Sequence, residues 1–180
     1  HPADGERKYG HMELGVMFKE LAGGMLITTE IFVLTLLFSL PLGMIVAMMR
    51  MSKSKIISGI TRVIISILRG TPLMLQLIAV TYGPYYLFEV SGFRNKLIPV
   101  VIAFAINYAA YFAEIYRGGI ESMPVGQYEA AEVLGYTKAQ TFFHIILPQV
   151  VKRIMPSITN EVITLVKDTS LAFTVSYAEM

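Results

Sequence analysis

A polar stripe interrupts one of the most apolar stretches of the chain. Asn107, Tyr111 and Glu114 follow one another at spacings of four and three residues, and residues so spaced share one face of a helix. Inside a membrane such a stripe faces protein or a water-filled cavity, because lipid cannot solvate it. A solute pathway and helix–helix hydrogen bonding fit Asn107 equally well, whereas an interfacial ion pair with Arg117 better fits Glu114.

A second polar group, KDTS at residues 167–170, lies in the last apolar stretch. If a span begins near Ile154, Lys167 lies roughly 20 Å along it at about 1.5 Å per residue. Adjacent opposite charges at that depth need protein or water around them. A zwitterionic amino acid needs partners of both signs, which Lys167 with Asp168 or Glu161 can supply. The alternative, a structural pair that fixes a helix bend, is favoured for Asp168.

These two groups supply every candidate for a substrate pathway. No choice between binding and packing follows from the residues alone for Lys167. The candidate pathway residues are Asn107, Tyr111, Glu114, Lys167, Asp168, Thr169 and Ser170.

Covalent and metal chemistry have no support in the sequence. The chain has no cysteine, and its three histidines, His1, His11 and His144, form no ligand spacing. Neither H-E-x-x-H nor G-x-S-x-G occurs, nor a glycine loop that binds phosphate. The net charge of +2, without a basic stripe and interleaved aromatics, gives no argument for nucleic acid. We therefore expect no enzyme, no catalytic residues, no metal and no cofactor.

Apolar clustering indicates which elements position the polar groups. Of the 180 residues, 54% are hydrophobic and 16% charged. Residues 25–49 contain one charge, Glu30, and about 20 apolar residues suffice to cross a bilayer. Pro41 and Gly43 inside this run suggest packing within a bundle. We predict spans at about 24–49, at 56–88 with a bend at 70–72, at 97–116, and from a start between 142 and 154 to at least 166.

The predicted fold class is all-α, a polytopic transmembrane helical bundle. Residues 1–20 form a polar leader and an amphipathic lead-in, and residues 21–180 form one membrane domain. Lysine and arginine are frequent after the first and third spans, whereas the second loop has only Arg94 and Lys96. The positive-inside rule therefore places the first and third loops in the cytoplasm and the N-terminus outside.

The third loop contains a short polar segment, GQYEAAEVLG at residues 126–135. Pro124 suits the start of a helix, and Glu129 and Glu132 are expected in its first turns, where the helix dipole favours negative charge. Gly135 can take the left-handed conformation that ends it.

One side of this predicted helix is small. Ala130, Ala131 and Leu134 are three and four residues apart, so we expect them to share a face that another element can approach closely. From the residues alone, an ordinary interfacial helix on the membrane surface is slightly favoured.

The same segment carries a family resemblance. Glu129, Ala130, Ala131 and Gly135, followed by ILP at 146–148, resemble the EAA signature of inner-membrane permease subunits of ABC importers. RGTP at 69–72, AEIYRGGI at 113–120, LPQ at 147–149 and KDTSL at 167–171 resemble the polar amino acid branch of that family.

The resemblance implies a type I importer permease in the bacterial inner membrane. In that family the EAA segment is a cytoplasmic coupling helix, which docks into a groove of a separate ATPase subunit. The coupling residues it implies are Gly126, Glu129, Ala130, Ala131, Leu134 and Gly135.

The resemblance also implies partners and leaves alternatives. The partners are two ABC ATPase subunits that bind ATP, a second permease subunit in a homodimer or heterodimer, an extracytoplasmic solute-binding protein and membrane lipid. The alternatives are another small solute, such as an opine or an amino acid derivative, and a secondary transporter, for which the chain is short. Such subunits usually have about five spans, so we expect the last span to be absent here.

Overall fold

The computed structural model describes residues 3–88 and 97–177, and the side chains of residues 14–84, 86 and 97–170. No strand occurs in these ranges, and the all-α prediction is confirmed. The helices are α1 (Ala3–Arg50), α2 (Lys55–Gly70), α3 (Leu73–Phe88), α4 (Leu97–Glu121), α5 (Val125–Val133), α6 (Lys138–Gln140), a π-helical segment (Thr141–Ile146) and α7 (Leu147–Tyr177).

Two of the described helices are long and apolar enough to cross a membrane. They are α1, over Leu14–Arg50, and α4. The helices α2 and α3 qualify together as a third span, but they are bent by 106° at their junction. The bend predicted at residues 70–72 is therefore confirmed, and it is large enough to separate two helices.

The predicted fourth span is a helix of sufficient length with a polar composition. It continues without a break from α6 through the π-helical segment into the 31 residues of α7. Although it is long enough, α7 is not apolar enough to qualify as a span among the described residues. Its charged residues are the reason: Lys152, Arg153, Glu161, Lys167 and Asp168.

The most extensive contact between two helices joins α1 to α4. Every fourth residue of α1 is buried there, and at Gly43 the approach is closest, because an added Cβ would lie 2.8 Å from Phe112 Cβ and 3.1 Å from the Ala109 carbonyl oxygen. Small residues let helix backbones approach closely in a membrane, where packing rather than the hydrophobic effect drives association. The buried stripe of α1 is Ile31, Thr35, Ser39, Gly43 and Ala47.

The helix α4 is the centre of the bundle and contacts α1, α2, α3 and α7. Phe104, Tyr108 and Phe112 are fully or almost fully buried along it. Near its end Gly119 lets α7 approach, since an added Cβ there would lie 2.2 Å from Ile154 Cγ2. The end of α4 and the start of α7, which flank α5, therefore pack directly on each other.

Candidate functional site

The helix α5 ends as the sequence predicts. Gly135 has φ of +78°, in the left-handed region that favours glycine. The Tyr136 N–H donates to the Ala131 carbonyl oxygen at 3.0 Å, and the Gly135 N–H donates to that of Glu132 at 2.9 Å. This pair of bonds is a Schellman motif, which satisfies carbonyl groups at the end of the helix.

The placement predicted for Glu132 is wrong, whereas Glu129 lies within the first two turns as predicted. Because α5 begins at Val125 and has nine residues, no acidic residue lies in its first turn. Glu129 lies in the second turn, and Glu132 lies next to the last helical residue. The helix dipole favours negative charge only near the N-terminus, so it does not stabilise Glu132.

The predicted small-residue face is divided between the inside and the outside. Ala131 is 1% exposed and packs against the chain itself, whereas Ala130 is exposed and Leu134 is 73% exposed. The prediction that these three residues offer one accessible face is therefore wrong. The outward surface of α5 is instead apolar around Val133, 88% exposed, and Val125, 69% exposed.

Polar bonds hold α5 and its preceding turn on α7. The Gln149 side chain donates from Nε2 to Gln127 Oε1 at 3.1 Å. Arg153 donates from Nη1 to the Ser122 carbonyl oxygen at 2.6 Å and to its Oγ at 3.0 Å. Gln127 and Gln149 lie in the motifs GQYEAAEVLG and LPQ, and neither motif predicts this bond. Their separation of 22 residues gives no local signal that they meet.

The start of the long C-terminal helix faces α5 across a cavity. Thr137 and Gln140 form a reciprocal capping box, which fixes where that helix begins. The cavity has a volume of about 480 Å³. It is lined by Tyr128, Glu132, Tyr136, Thr137, Lys138, Thr141 and Phe142.

Asn107 braces the break between α2 and α3. Its Nδ2 donates to Gln76 Oε1 at 2.9 Å and to the Leu68 carbonyl oxygen at 3.2 Å. Gln76 in turn donates from Nε2 to the same Leu68 oxygen and to Thr71 Oγ1, each at 2.8 Å. Asn107 is 4% exposed, so within this chain its amide serves helix–helix hydrogen bonding.

The rest of the polar stripe meets arginines. The Arg69 guanidinium lies over the Tyr111 ring, 5.1 Å from the ring centroid. Glu114 Oε2 accepts from Arg117 Nη2 at 2.6 Å, which confirms the predicted ion pair. Glu114 Oε1 also lies 3.8 Å from Arg50 Nε.

The four residues of KDTS point to different surroundings. Asp168 Oδ2 accepts from the Tyr108 hydroxyl at 2.7 Å, and Thr169 is 1% exposed. The Ser170 hydroxyl donates to the Lys167 carbonyl oxygen at 2.6 Å. Lys167 is exposed and, among the described residues, forms no ion pair with Asp168 or Glu161. The structure therefore does not gather the candidate pathway residues into one site within this chain.

The described residues include no group of three or more His, Asp or Glu side chains placed to hold a metal ion. His144 lies exposed on the π-helical segment, with its Nδ1 3.1 Å from the Gln140 carbonyl oxygen.

Comparison with known proteins gives consistent matches. Residues 39–176 match the family described as binding-protein-dependent transport system inner membrane component. The chain is 39% identical over 161 residues to the L-cystine transport system permease protein TcyB of Bacillus subtilis, covering 89% of this chain and 67% of that protein. It is 35% identical over 170 residues to the nopaline transport system permease protein NocM of Agrobacterium fabrum, covering 91% and 70%. The fold is similar to that in the crystal structure of an amino acid ABC transporter with histidines, with a TM-score of 0.80, 34% identity, and coverage of 91% and 75%.

Proposed function

Because the chain belongs to the family of inner membrane components of binding-protein-dependent transport systems, we propose that it is the permease subunit of an ATP-driven importer for polar amino acids. The similarity to a cystine permease and to an amino acid ABC transporter supports this substrate class. The similarity to a nopaline permease makes an amino acid derivative of the opine type the second candidate. Uptake of labelled cystine, glutamine, histidine and nopaline by the assembled transporter would distinguish the two.

The family also indicates which kinds of protein this subunit assembles with. An importer of this family requires an ATPase and a solute-binding protein. We propose that two ATPase subunits bind the ATP, that a second permease completes the pathway as a homodimer or heterodimer, and that this chain holds no cofactor. Purification of the intact complex, followed by determination of its subunit masses, tests this composition.

The outward face of α5 is the proposed contact with the ATPase. The observation that carries this proposal is the division of α5 into a buried side at Ala131 and an exposed side at Val133 and Leu134. The bond from Gln149 to Gln127 ties α5 to α7. Because of this bond, we expect a force that the ATPase exerts on the exposed side of α5 to reach α7.

Substitutions on the two sides of α5 test this assignment. Val133→Asp with Leu134→Asp changes only the exposed side, so the subunit should remain as stable as the wild type and lose copurification of the ATPase. Ala131→Trp adds bulk on the buried side, so it should lower the melting temperature of the subunit itself. Full copurification with the double aspartate variant would refute the proposed contact.

The chain is an integral protein of the inner membrane, and we propose that α5 lies on its cytoplasmic side. The charge distribution between the loops supports this orientation. Because the chain has no cysteine, Lys138→Cys would provide a single thiol. An impermeant thiol reagent should label it in inverted vesicles and not in intact cells, and Arg94→Cys should behave in the opposite way. Labelling of Lys138→Cys in intact cells would show that the orientation is opposite to the one proposed.

Lys167 is the proposed pathway residue that this chain presents outward. It is exposed, and its neighbour Asp168 is held by Tyr108. Lys167→Met should lower the uptake of solute while the complex still assembles, and Lys152→Met, at an exposed position nearer the start of α7, should change neither. Normal uptake by Lys167→Met would remove the residue from the pathway.

A further inference from the structure

A pocket lined by four arginines lies where α1, α2 and α4 meet. Arg50 comes from the end of α1, Arg62 and Arg69 from α2, and Arg117 from α4. Glu114 is the one carboxylate among the lining residues, and the volume is about 250 Å³. The transport function proposed above assigns no role to this pocket.

Carboxylates of the protein balance only part of the charge of the pocket. Four guanidinium groups against one carboxylate leave a net charge of +3 on the lining residues, and Glu121, which pairs with Arg117 from outside the lining, lowers it to +2. Glu114 is already engaged by Arg117 and lies near Arg50. In the described part of the chain, Arg62 and Arg69 form no ion pair. An anion could therefore bind without displacing an existing ion pair.

One donor of the pocket is buried and unused. Arg50 Nε is shielded from solvent and has no hydrogen-bond partner, since its distance of 3.8 Å from Glu114 Oε1 is too long for a hydrogen bond. A buried donor without an acceptor destabilises the protein. The Arg50 side chain is held in place from its other end, because Nη1 donates to Ser58 Oγ at 3.0 Å. The pocket therefore contains a positioned donor for which this chain supplies no acceptor.

The chemistry of the lining favours a phosphate group. Guanidinium groups match phosphate and carboxylate oxygens with paired hydrogen bonds, and here they converge from three helices. A water molecule takes about 30 Å³ in the liquid, so the cavity has room for a phosphate group and several waters.

The opposite side of α2 indicates where that phosphate comes from. Its apolar residues Ile56, Ile60, Val63 and Ile67 are each more than half exposed. A helix with an exposed apolar face and arginines on the other is typical of the membrane interface. The pocket lies at the end of the bundle that the charge distribution predicts to be cytoplasmic, where the leaflet carries anionic lipids. We propose that the pocket binds the phosphate of an anionic phospholipid headgroup, with the acyl chains beside α2.

Lipid retention by the assembled transporter tests the proposal. The complex is purified with phosphatidylglycerol, and the bound lipid is measured by native mass spectrometry during washing. Arg62→Gln with Arg69→Gln should weaken retention about 25-fold, since each arginine near an anionic surface contributes about 1 kcal/mol, or about fivefold. The control, Lys138→Gln with Lys152→Gln, removes the same charge at exposed positions outside α2 and should retain the lipid. Arg62→Lys with Arg69→Lys keeps the charge and loses the paired hydrogen bonds, so its retention should lie between those of the glutamine variant and the wild type, which separates loss of charge from misfolding.

Two competition experiments identify the source of the anion. Millimolar inorganic phosphate is added to the lipid-free complex, and the transported amino acid is added to the lipid-loaded one. If phosphate binds the lipid-free complex and the complex purified with lipid retains none, the pocket belongs to the free ion. That pair of results would overturn the lipid proposal. Displacement of the lipid by the amino acid, or equal retention by the glutamine and control variants, would overturn it as well. These measurements need neither ATP nor transport, so their outcome is independent of the proposed transport function.

Discussion

The α1–α4 crossing and the seat of α5, which comprises its contact with α7 and the bonds around Gly135, hold their helices in opposite ways. At the crossing, small residues of α1 pack against the backbone of α4, with Gly43 at the closest point. At the seat, α5 buries Ala131 alone and is held by Gln149 and by the bonds around Gly135. The crossing therefore depends on side-chain volume, whereas the seat depends on backbone conformation and a few polar bonds.

This difference separates rigid framework from exposed contact surface. At Gly43 the crossing leaves no room for an added atom, so a larger residue there must displace α1 or α4. Most of the α5 surface is open, so its side chains can be replaced while the helix keeps its place. Three glycine-to-alanine substitutions, each of which adds one methyl group, test this difference.

Gly43→Ala should have the largest effect. The added methyl group would lie 2.8 Å from Phe112 Cβ, which is fixed to the backbone of α4. Overpacking of this kind costs about 1–3 kcal/mol or more. We expect a fall of several degrees in the melting temperature of the purified subunit, or loss of the folded subunit. Gly59→Ala, where nothing lies within 4 Å, is the control and should be neutral or stabilising; an equal fall in both variants would contradict tight packing at the crossing.

Gly119→Ala should have a smaller effect that can be reversed. Its methyl group would meet Ile154 Cγ2, the end of a side chain that can be shortened. We expect a lower melting temperature for Gly119→Ala and recovery when Ile154→Ala is added. The neighbouring Gly118→Ala has nothing within 4 Å of its added Cβ and should behave as the wild type. Failure of Ile154→Ala to restore stability would mean that α4 and α7 are not limited by this contact.

Gly135→Ala should have the smallest effect on global stability and a clear local one. A residue with a Cβ costs roughly 1–2 kcal/mol in the left-handed conformation, and that cost falls on the end of α5. We expect faster amide exchange in residues 125–136 and weaker ATPase stimulation, with little change in melting temperature. Asparagine tolerates this conformation, so Gly135→Asn should stay closer to the wild type. If alanine and asparagine behaved alike, the positive φ would not control the seat of α5.

The sequence predicts features that depend on local chemistry and misses those that depend on a distant partner. The positive φ of Gly135 and the bend before α3 follow from glycine, proline and their neighbours. The inward direction of Ala131 depends on segments that pack against it from later in the chain. The partner of Asp168 is Tyr108, 60 residues away. Glu132 lies near the end of α5 because the helix begins at Val125 and its Schellman motif ends it after Val133. The Schellman motif could be anticipated from Gly135.

Protection of single cysteines on α5 tests the central claim most directly. Leu134→Cys and Val133→Cys would each place one thiol on the exposed side of a chain that otherwise has none. Their rates of reaction with a bulky maleimide are measured in the solubilised subunit with and without the purified ATPase. Lys152→Cys, exposed on α7, is the control. The proposed contact predicts that the ATPase slows labelling at both α5 positions at least tenfold and leaves the control unchanged, whereas unchanged rates at Val133→Cys and Leu134→Cys with the ATPase bound would contradict it.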